Sequence, residues 1–378
     1  MFKTCRSMEW SPPPNGIAMC QTCSVITIKL NGEETNMNIT VSGLDLAKNV
    51  FHFVGCNKAG KIIRKKMLRR NEVLSFFAKL PPCLVGMEAC SSAHYWAREI
   101  EKLGHTVKQI APQHVKAFLR GNKNDYNDAL AISEAVARPQ MRFVVTKTQT
   151  QQDIQSIHVF RKKCERDRTA NSNEVRGLLS EYGIAIPQGI HNVFKTLPKL
   201  FDKTEDNGLS DLFKTLLAQH YEKLVELNKH LDFYTKKIKV QSKSDECQRL
   251  QSIPGFGPIV ASAFYQHVGN GSGFKNGRCV SASLGVVPKQ YSSGGKDKLL
   301  GISKRGDKYL RTLLVHGARA VINTLKDKKT PLANWLNRLI VTRGKNKATL
   351  ALANKLARIG WAILRNGGCY SAEHAAAN

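Results

Sequence analysis

The sequence predicts three consecutive parts: an α/β N-terminal domain (38–145), a helical coiled-coil linker (146–245) and a mostly α C-terminal domain (246–365). Three observations predict them. Apolar strand-like runs alternate with helical stretches between Ile39 and Ala111, as in a parallel or mixed sheet covered by helices. Strand signals then vanish between about 150 and 245, where Leu217, Leu224, Leu231 and Ile238 recur every seven residues, a short heptad stripe. Beyond 246 the chain reads as helices broken by glycine-rich segments.

Residues 1–37 hold Pro12-Pro13-Pro14 and Asn15-Gly16 and no sustained period, so they are expected to be a disordered extension upstream of Met37. Ile39–Asp45 reads as the first strand, the run from Val50 as its partner, and Lys61–Met67 as a third. Glu72–Leu80 reads as a short helix, Cys83–Glu88 as a buried strand, Ser91–Leu103 as a helix and Thr106–Ala111 as another strand. In the linker, Leu227 and Tyr234 complete the a/d stripe, His220 interrupts it, and Gly183–Gly189 is the turn between helical arms. Such a stripe either packs on its own domain or joins protomers. Residues 366–378 read as a tail.

The charge balance narrows the partners. Against 29 Asp+Glu stand 58 Lys+Arg, a net +29, and such an excess suits a protein lying along phosphates. Ten cysteines follow no disulfide framework and are expected to be reduced thiols of a cytosolic protein. Cys20 and Cys23 form a C-x-x-C with no second pair at zinc-finger spacing. No apolar run is long enough to span a membrane.

Four carboxylates stand where an α/β sheet gathers them. Asp45 and Glu88 each close a strand, while Asp125 and Asp128 open a helix at i, i+3 spacing and share its face. Strand C-terminal ends share a crevice, and carboxylates brought together there repel unless hard cations neutralise them. Taken singly, three of them have structural readings: Asp125 as an N-cap, Asp128 as a dipole partner, Glu88 paired with a lysine. As an ordered set in a basic chain they point to a two-Mg²⁺ site that polarises a scissile phosphate, with Lys48 and Lys123 beside it on the nucleic acid.

The C-terminal part holds two further signals. Leu250–Ala261 carries Pro254-Gly255-Phe256-Gly257, the form of a helix-hairpin-helix element whose Gly255 and Gly257 can present backbone N–H groups to phosphates; an ordinary interhelical turn has the same form. Ser292-Ser293-Gly294-Gly295-Lys296 precedes Gly301-Ile302-Ser303-Lys304-Arg305-Gly306 and Arg311. A serine before paired glycines is exposed on a tight turn, where Lys296, Lys304, Arg305 and Arg311 can neutralise a phosphate under attack. The same loop would serve equally to grip a DNA backbone, and chemistry alone does not choose. His316-Gly-Ala-Arg319 matches the H-x-x-R of tyrosine recombinases, but a helix surface explains it adequately.

Gly43-Leu-Asp45-Leu-Ala-Lys48 resembles the opening of RuvC-like, RNase H-fold nucleases. With Gly86-Met-Glu88-Ala and Lys123-x-Asp125-x-x-Asp128-Ala129 it is similar to the DEDD transposases of the insertion-sequence "one-ten" family, related to the Piv invertase. The resemblance implies an RNase H-like N-terminal domain with Asp45, Glu88, Asp125 and Asp128 as the Mg²⁺-binding tetrad. It also implies a serine that links covalently to DNA, Ser293 or, next to it, Ser292. The partners it implies are double-stranded target and donor DNA, a bridge RNA that pairs with both, and a homo-oligomer, dimer or tetramer. Two other classes remain open on the residues alone: a RuvC-like junction nuclease that uses water, and a non-enzymatic basic DNA- or RNA-binding protein.

Overall fold

The computed structural model describes residues 38–122, 124–201, 208–325 and 330–372. The N-terminal extension with Cys20 and Cys23, Lys123 and the end of the tail lie outside them. Alternating apolar residues build β1 (Val41–Leu46), β2 (Val50–Cys56) and β3 (Ile62–Arg69), followed by α1 (Val73–Ala78), β4 (Leu84–Glu88), α2 (Ala93–Lys102) and β5 (Thr106–Ile110). A short α3 (Pro112–Val115) leads to α4 (Asp125–Val136) and the two-residue β6 (Phe143–Val144). The strands form one mixed sheet in the order β3-β2-β1-β4-β5-β6. β1 runs antiparallel to β2 and parallel to β4, and β5 runs parallel to β4.

The two faces of the sheet have different covers. Leu44, Phe51, Phe53 and Met87 are fully buried against α1 and α2, together with Phe77, Trp96 and Ile100. The opposite face carries α4, whose Ala131, Ile132, Ala135 and Val136 pack with Ile110 and Val115. The helix approaches closely because Gly43 and Gly86, paired across β1 and β4, present no side chain to it. A Cβ on Gly43 would lie 1.9 Å from the Ala129 carbonyl oxygen, and one on Gly86 2.8 Å from Val136. Gly43→Ala is therefore expected to cost about 3 kcal/mol or more, beyond ordinary overpacking because the obstacle is backbone. A urea midpoint unchanged from wild type would contradict this close seating of α4.

The remainder is mostly helical. α5 (Gln149–Glu181), α6 (Ile190–Leu200) and α7 (Asp211–Gln241) form the middle part. Arg161 bonds Thr235, Arg168 bonds Asn228, and the buried Asn171 bonds His220, so α5 and α7 run antiparallel. The heptad leucines Leu217, Leu224 and Leu231, with Ile238, are buried, the first two in one cluster with Val175 and Leu179 of α5. The stripe thus packs within its own chain, and His220 sits in it because Asn171 meets its ring at 3.0 Å. The Gly183–Gly189 turn leads into α6 rather than directly from one long arm to the other.

Helices α8 (Asp245–Gln251), α9 (Pro258–Val268), α10 (Gly277–Ser283), α11 (Lys308–Leu325), α12 (Pro331–Arg343) and α13 (Lys345–Asn366) share the last core, around Phe256, Phe264, Leu284, Leu314 and Leu352. The glycine-rich break before α11 holds an antiparallel hairpin of β7 (Pro288–Gln290) and β8 (Leu299–Ile302), strands that the sequence alone did not place. Its strands are only three and four residues long and largely exposed, too short to show the apolar alternation by which strands are read.

Candidate active site

The carboxylates meet where β1 and β4 end beneath the start of α4. Leu44 pairs with Met87 in the parallel register, so Asp45 and Glu88 follow them side by side and point to the α4 face. Asn124 caps α4, its side chain accepting from the Tyr126 N–H at 2.9 Å. That corrects the structural reading of Asp125: the cap is its neighbour, and the Asp125 carboxylate is left exposed. Asp45, Asp125 and Asp128 each offer a carboxylate oxygen, and these oxygens lie within 4.8 Å of one another.

The electrostatics record the crowding. Burial first, then repulsion from Asp128, Asp125 and Glu88, pushes the Asp45 carboxyl up to about 6, against a partial offset from His52. Burial and Asp128 also raise Glu88. Glu88 thus belongs to the same electrostatic cluster although its oxygens stand outside the tight triad. Hard oxygen donors that repel one another are the donor set a divalent cation takes.

His52, which the sequence alone did not single out, joins the carboxylates. It pairs directly with Asp45 across β1 and β2, its Nδ1 lies 3.5 Å from an Asp125 oxygen, and Tyr126 packs edge-on against its ring. The available signal was the alternation Phe51-His52-Phe53, which puts a polar ring on the face opposite two buried phenylalanines.

The serines occupy the tip of the β7–β8 hairpin. Gly294 and Gly295 have φ of 56° and 75°, and the Lys296 N–H bonds the Ser293 carbonyl at 3.1 Å. Two consecutive left-handed residues make the turn that matches a hairpin's twist, which is why the paired glycines are there. Ser292 and Ser293 are both exposed. The Ser292 hydroxyl accepts from Gln290 Nε2 at 3.1 Å and the Lys298 N–H at 3.4 Å, whereas the Ser293 hydroxyl has no side-chain hydrogen bond among the described residues.

The basic candidates divide. Lys48, Lys296, Lys304 and Arg305 are exposed, and Lys304 holds a left-handed backbone at φ 55°. Arg311 Nη1 instead donates to the carbonyls of Leu284 and Arg305 at 2.8 and 3.0 Å, which braces the foot of the hairpin. Gly255, at φ 85°, has a packing reason: its Cβ position lies 2.8 Å from the Gly317 carbonyl oxygen of α11. Gly257 is exposed, with nothing within 4 Å of its Cβ position, so its backbone stays open to a ligand. His316 and Arg319 are on the exposed surface of α11. Among the described residues no helix is long and apolar enough to cross a membrane.

Comparison with known proteins agrees with this geometry. Residues 42–184 match a family model for DEDD transposases of the IS110 group, and residues 247–331 match the model described as "Transposase IS116/IS110/IS902 family". The chain is 45% identical over 335 residues to a "Probable family 20 transposase" of Pseudomonas aeruginosa, covering 88% of this chain and 99% of that protein. It is 41% identical over 360 residues to the "Transposase for insertion sequence element IS1111A" of Coxiella burnetii, covering 95% and 98%. With the "Transposase for insertion sequence element IS1328" of Yersinia enterocolitica it shares 42% identity over 335 residues.

Proposed function

From the premise that the chain belongs to the IS116/IS110/IS902 transposase family, we propose that it cuts and rejoins DNA through a serine–DNA link made at a metal-assisted site. The observation that carries this reading is the convergence of Asp45, Asp125 and Asp128 at the end of the sheet, with Glu88 on the adjacent strand. The strand order and the helix across the carboxylate face fit an RNase H-like, RuvC-like domain.

Asp45, Glu88, Asp125 and Asp128 would hold divalent cations, Mg²⁺ in this reading. When bound, the metal supplies Lewis-acid polarisation of the scissile phosphate. The Ser293 oxygen attacks phosphorus as its proton passes to solvent, a serine–phosphate ester forms while the bond from phosphorus to the strand oxygen breaks, and that oxygen leaves as a hydroxyl after taking up a proton from solvent. Lys296, Lys304 and Arg305 offset the phosphate charge near the hairpin. Reversal of the same exchange with a second strand end rejoins DNA without loss of bond energy. Lys48 and the open backbone at Gly257 belong to the surface that holds target and donor duplexes.

Base pairing with a bridge RNA would choose the sites, which leaves the protein to read backbone and shape. A dimer or tetramer would bring two cleaved strands together. The stacked Phe160–Tyr234 pair, with the exposed Phe233 beside it on the α5–α7 arm, supports a helical contact between protomers.

The test is denaturing electrophoresis of end-labelled target and donor DNA after incubation with the protein, its guide RNA and Mg²⁺. A labelled band that stays with the protein and disappears on chelation supports the proposal. Cut DNA without any adduct would make the chain a hydrolytic nuclease instead.

A further inference from the structure

A second chemistry-bearing feature lies at the same end of the sheet, on its other side. A cavity of about 720 Å³ opens there, lined by Asn49, Arg69, Arg70, Asn71, Tyr95 and Trp96 together with Val50 and Leu74. Asn49 belongs to the turn that follows Asp45, and Arg69 ends β3 opposite Val50. Tyr95 and Trp96 stand in the first turns of α2, just past Glu88. The cavity thus shares the carboxylates' end of the sheet.

Its lining is specific in kind. No carboxylate lines it; the nearby Glu72 is engaged with the Arg69 backbone N–H at 2.7 Å. The Arg70 guanidinium lies 5.2 Å above the Trp96 ring and donates to the Lys48 carbonyl at 3.2 Å, which fixes its plane while most of its donors stay free. Tyr95 meets Trp96 edge-on at 5.1 Å and is itself 44% exposed. Trp96 is only 3% exposed, and its indole N–H has no acceptor among the described residues, a buried donor that costs free energy until one arrives. Arg64, Lys65 and Lys66 line the exposed edge strand β3 that leads here. Those three also protect a sheet edge; Arg69 and Arg70 instead turn into the cavity.

We propose that this cavity receives one unpaired nucleotide of a DNA or RNA strand, its base against Tyr95 and its phosphates on Arg69 and Arg70. Its size falls in the range of small-ligand sites. An exposed aromatic beside stacked arginine is the combination that takes a base irrespective of its identity and a phosphate irrespective of its sugar. Recombination of duplexes creates unpaired nucleotides wherever strands part, so the pocket would hold a strand bent out of its stack at the cleavage end. The inference rests on the chain's action on nucleic acid, proposed above.

The experiment is fluorescence and anisotropy titration with three 20-mer probes, each carrying 2-aminopurine: paired DNA, DNA with one extrahelical base, and RNA with one extrahelical base. The wild-type protein is expected to bind an extrahelical-base probe about tenfold more tightly than the paired probe, with quenching of the fluorophore. The DNA and RNA arms tell which strand supplies the nucleotide. Tyr95→Ala and Arg70→Gln, both at exposed positions, should each reduce the preference below about twofold, while Arg64→Gln, equal in charge loss but outside the cavity, should keep it. Equal affinity for paired and extrahelical probes in both arms overturns the proposal, as does a preference that survives both substitutions. A protein that forms the covalent adduct yet shows no preference loses only this pocket; one that binds no nucleic acid loses both readings.

Discussion

Replacing Ser293 with alanine is expected to remove the covalent protein–DNA adduct and to slow strand exchange by at least about 10³-fold, because in the proposed mechanism it removes the hydroxyl that attacks the phosphorus. The substitution should leave folding untouched. Ser293 is exposed at a hairpin tip whose shape depends on the left-handed Gly294 and Gly295 and on backbone bonding, not on the hydroxyl. Ser292→Ala is expected to behave differently. It removes the acceptor for Gln290 and for the Lys298 N–H, at about 1 kcal/mol of local stability for a modest hydrogen bond, and should reduce strand exchange less than about tenfold. Mass spectrometry of the trapped adduct identifies the linked residue directly. A link on Ser292, or an adduct that persists in Ser293→Ala, would move the nucleophile by one residue or discard serine chemistry.

The contrast between these serines also shows what the sequence made legible. Paired glycines after a serine announced an exposed turn, and the turn is there. That strands would flank it was not readable, since β7 and β8 are only three and four residues long and the leucines of β8 are exposed. The carboxylates were easier. Strand ends and helix starts are local features, so Asp45, Glu88, Asp125 and Asp128 could be ordered before any contact was known. What locality could not supply was the reason they converge: the Gly43–Gly86 pair that lets α4 descend onto the sheet. His52 was hidden for a related reason, because its position opposite Asp45 depends on a register that one strand alone does not reveal. Gly255 shows the opposite error of emphasis. A motif that reads as phosphate binding has a packing partner, Gly317, some sixty residues further along the chain.

Neutralising Asp45 should act on stability and on chemistry in opposite directions. Its carboxyl is pushed up to about 6 from an ordinary 3.8, chiefly by burial and then by its acidic neighbours. A group raised in the folded state favours folding while protonated. Its contribution is therefore complete below about 3.8 and is lost as pH rises through about 6. The metal-free wild type is expected to lose melting temperature across that window relative to Asp45→Asn, which keeps the side-chain shape without the charge. At neutral pH and without metal the variant should be the more stable of the two. Strand cleavage should nevertheless fall by at least about 10³-fold in the variant, the scale of losing a group that acts in the transition state. Mg²⁺ at 100 times its dissociation constant should stabilise the wild type by about 2.7 kcal/mol and release protons near pH 6, since a cation competes with the proton on Asp45. Neither effect should appear in Asp45→Asn. A variant less stable than wild type at neutral pH, in a protein whose melting ignores Mg²⁺, would mean that these carboxylates are structural and that the charge crowding serves no metal.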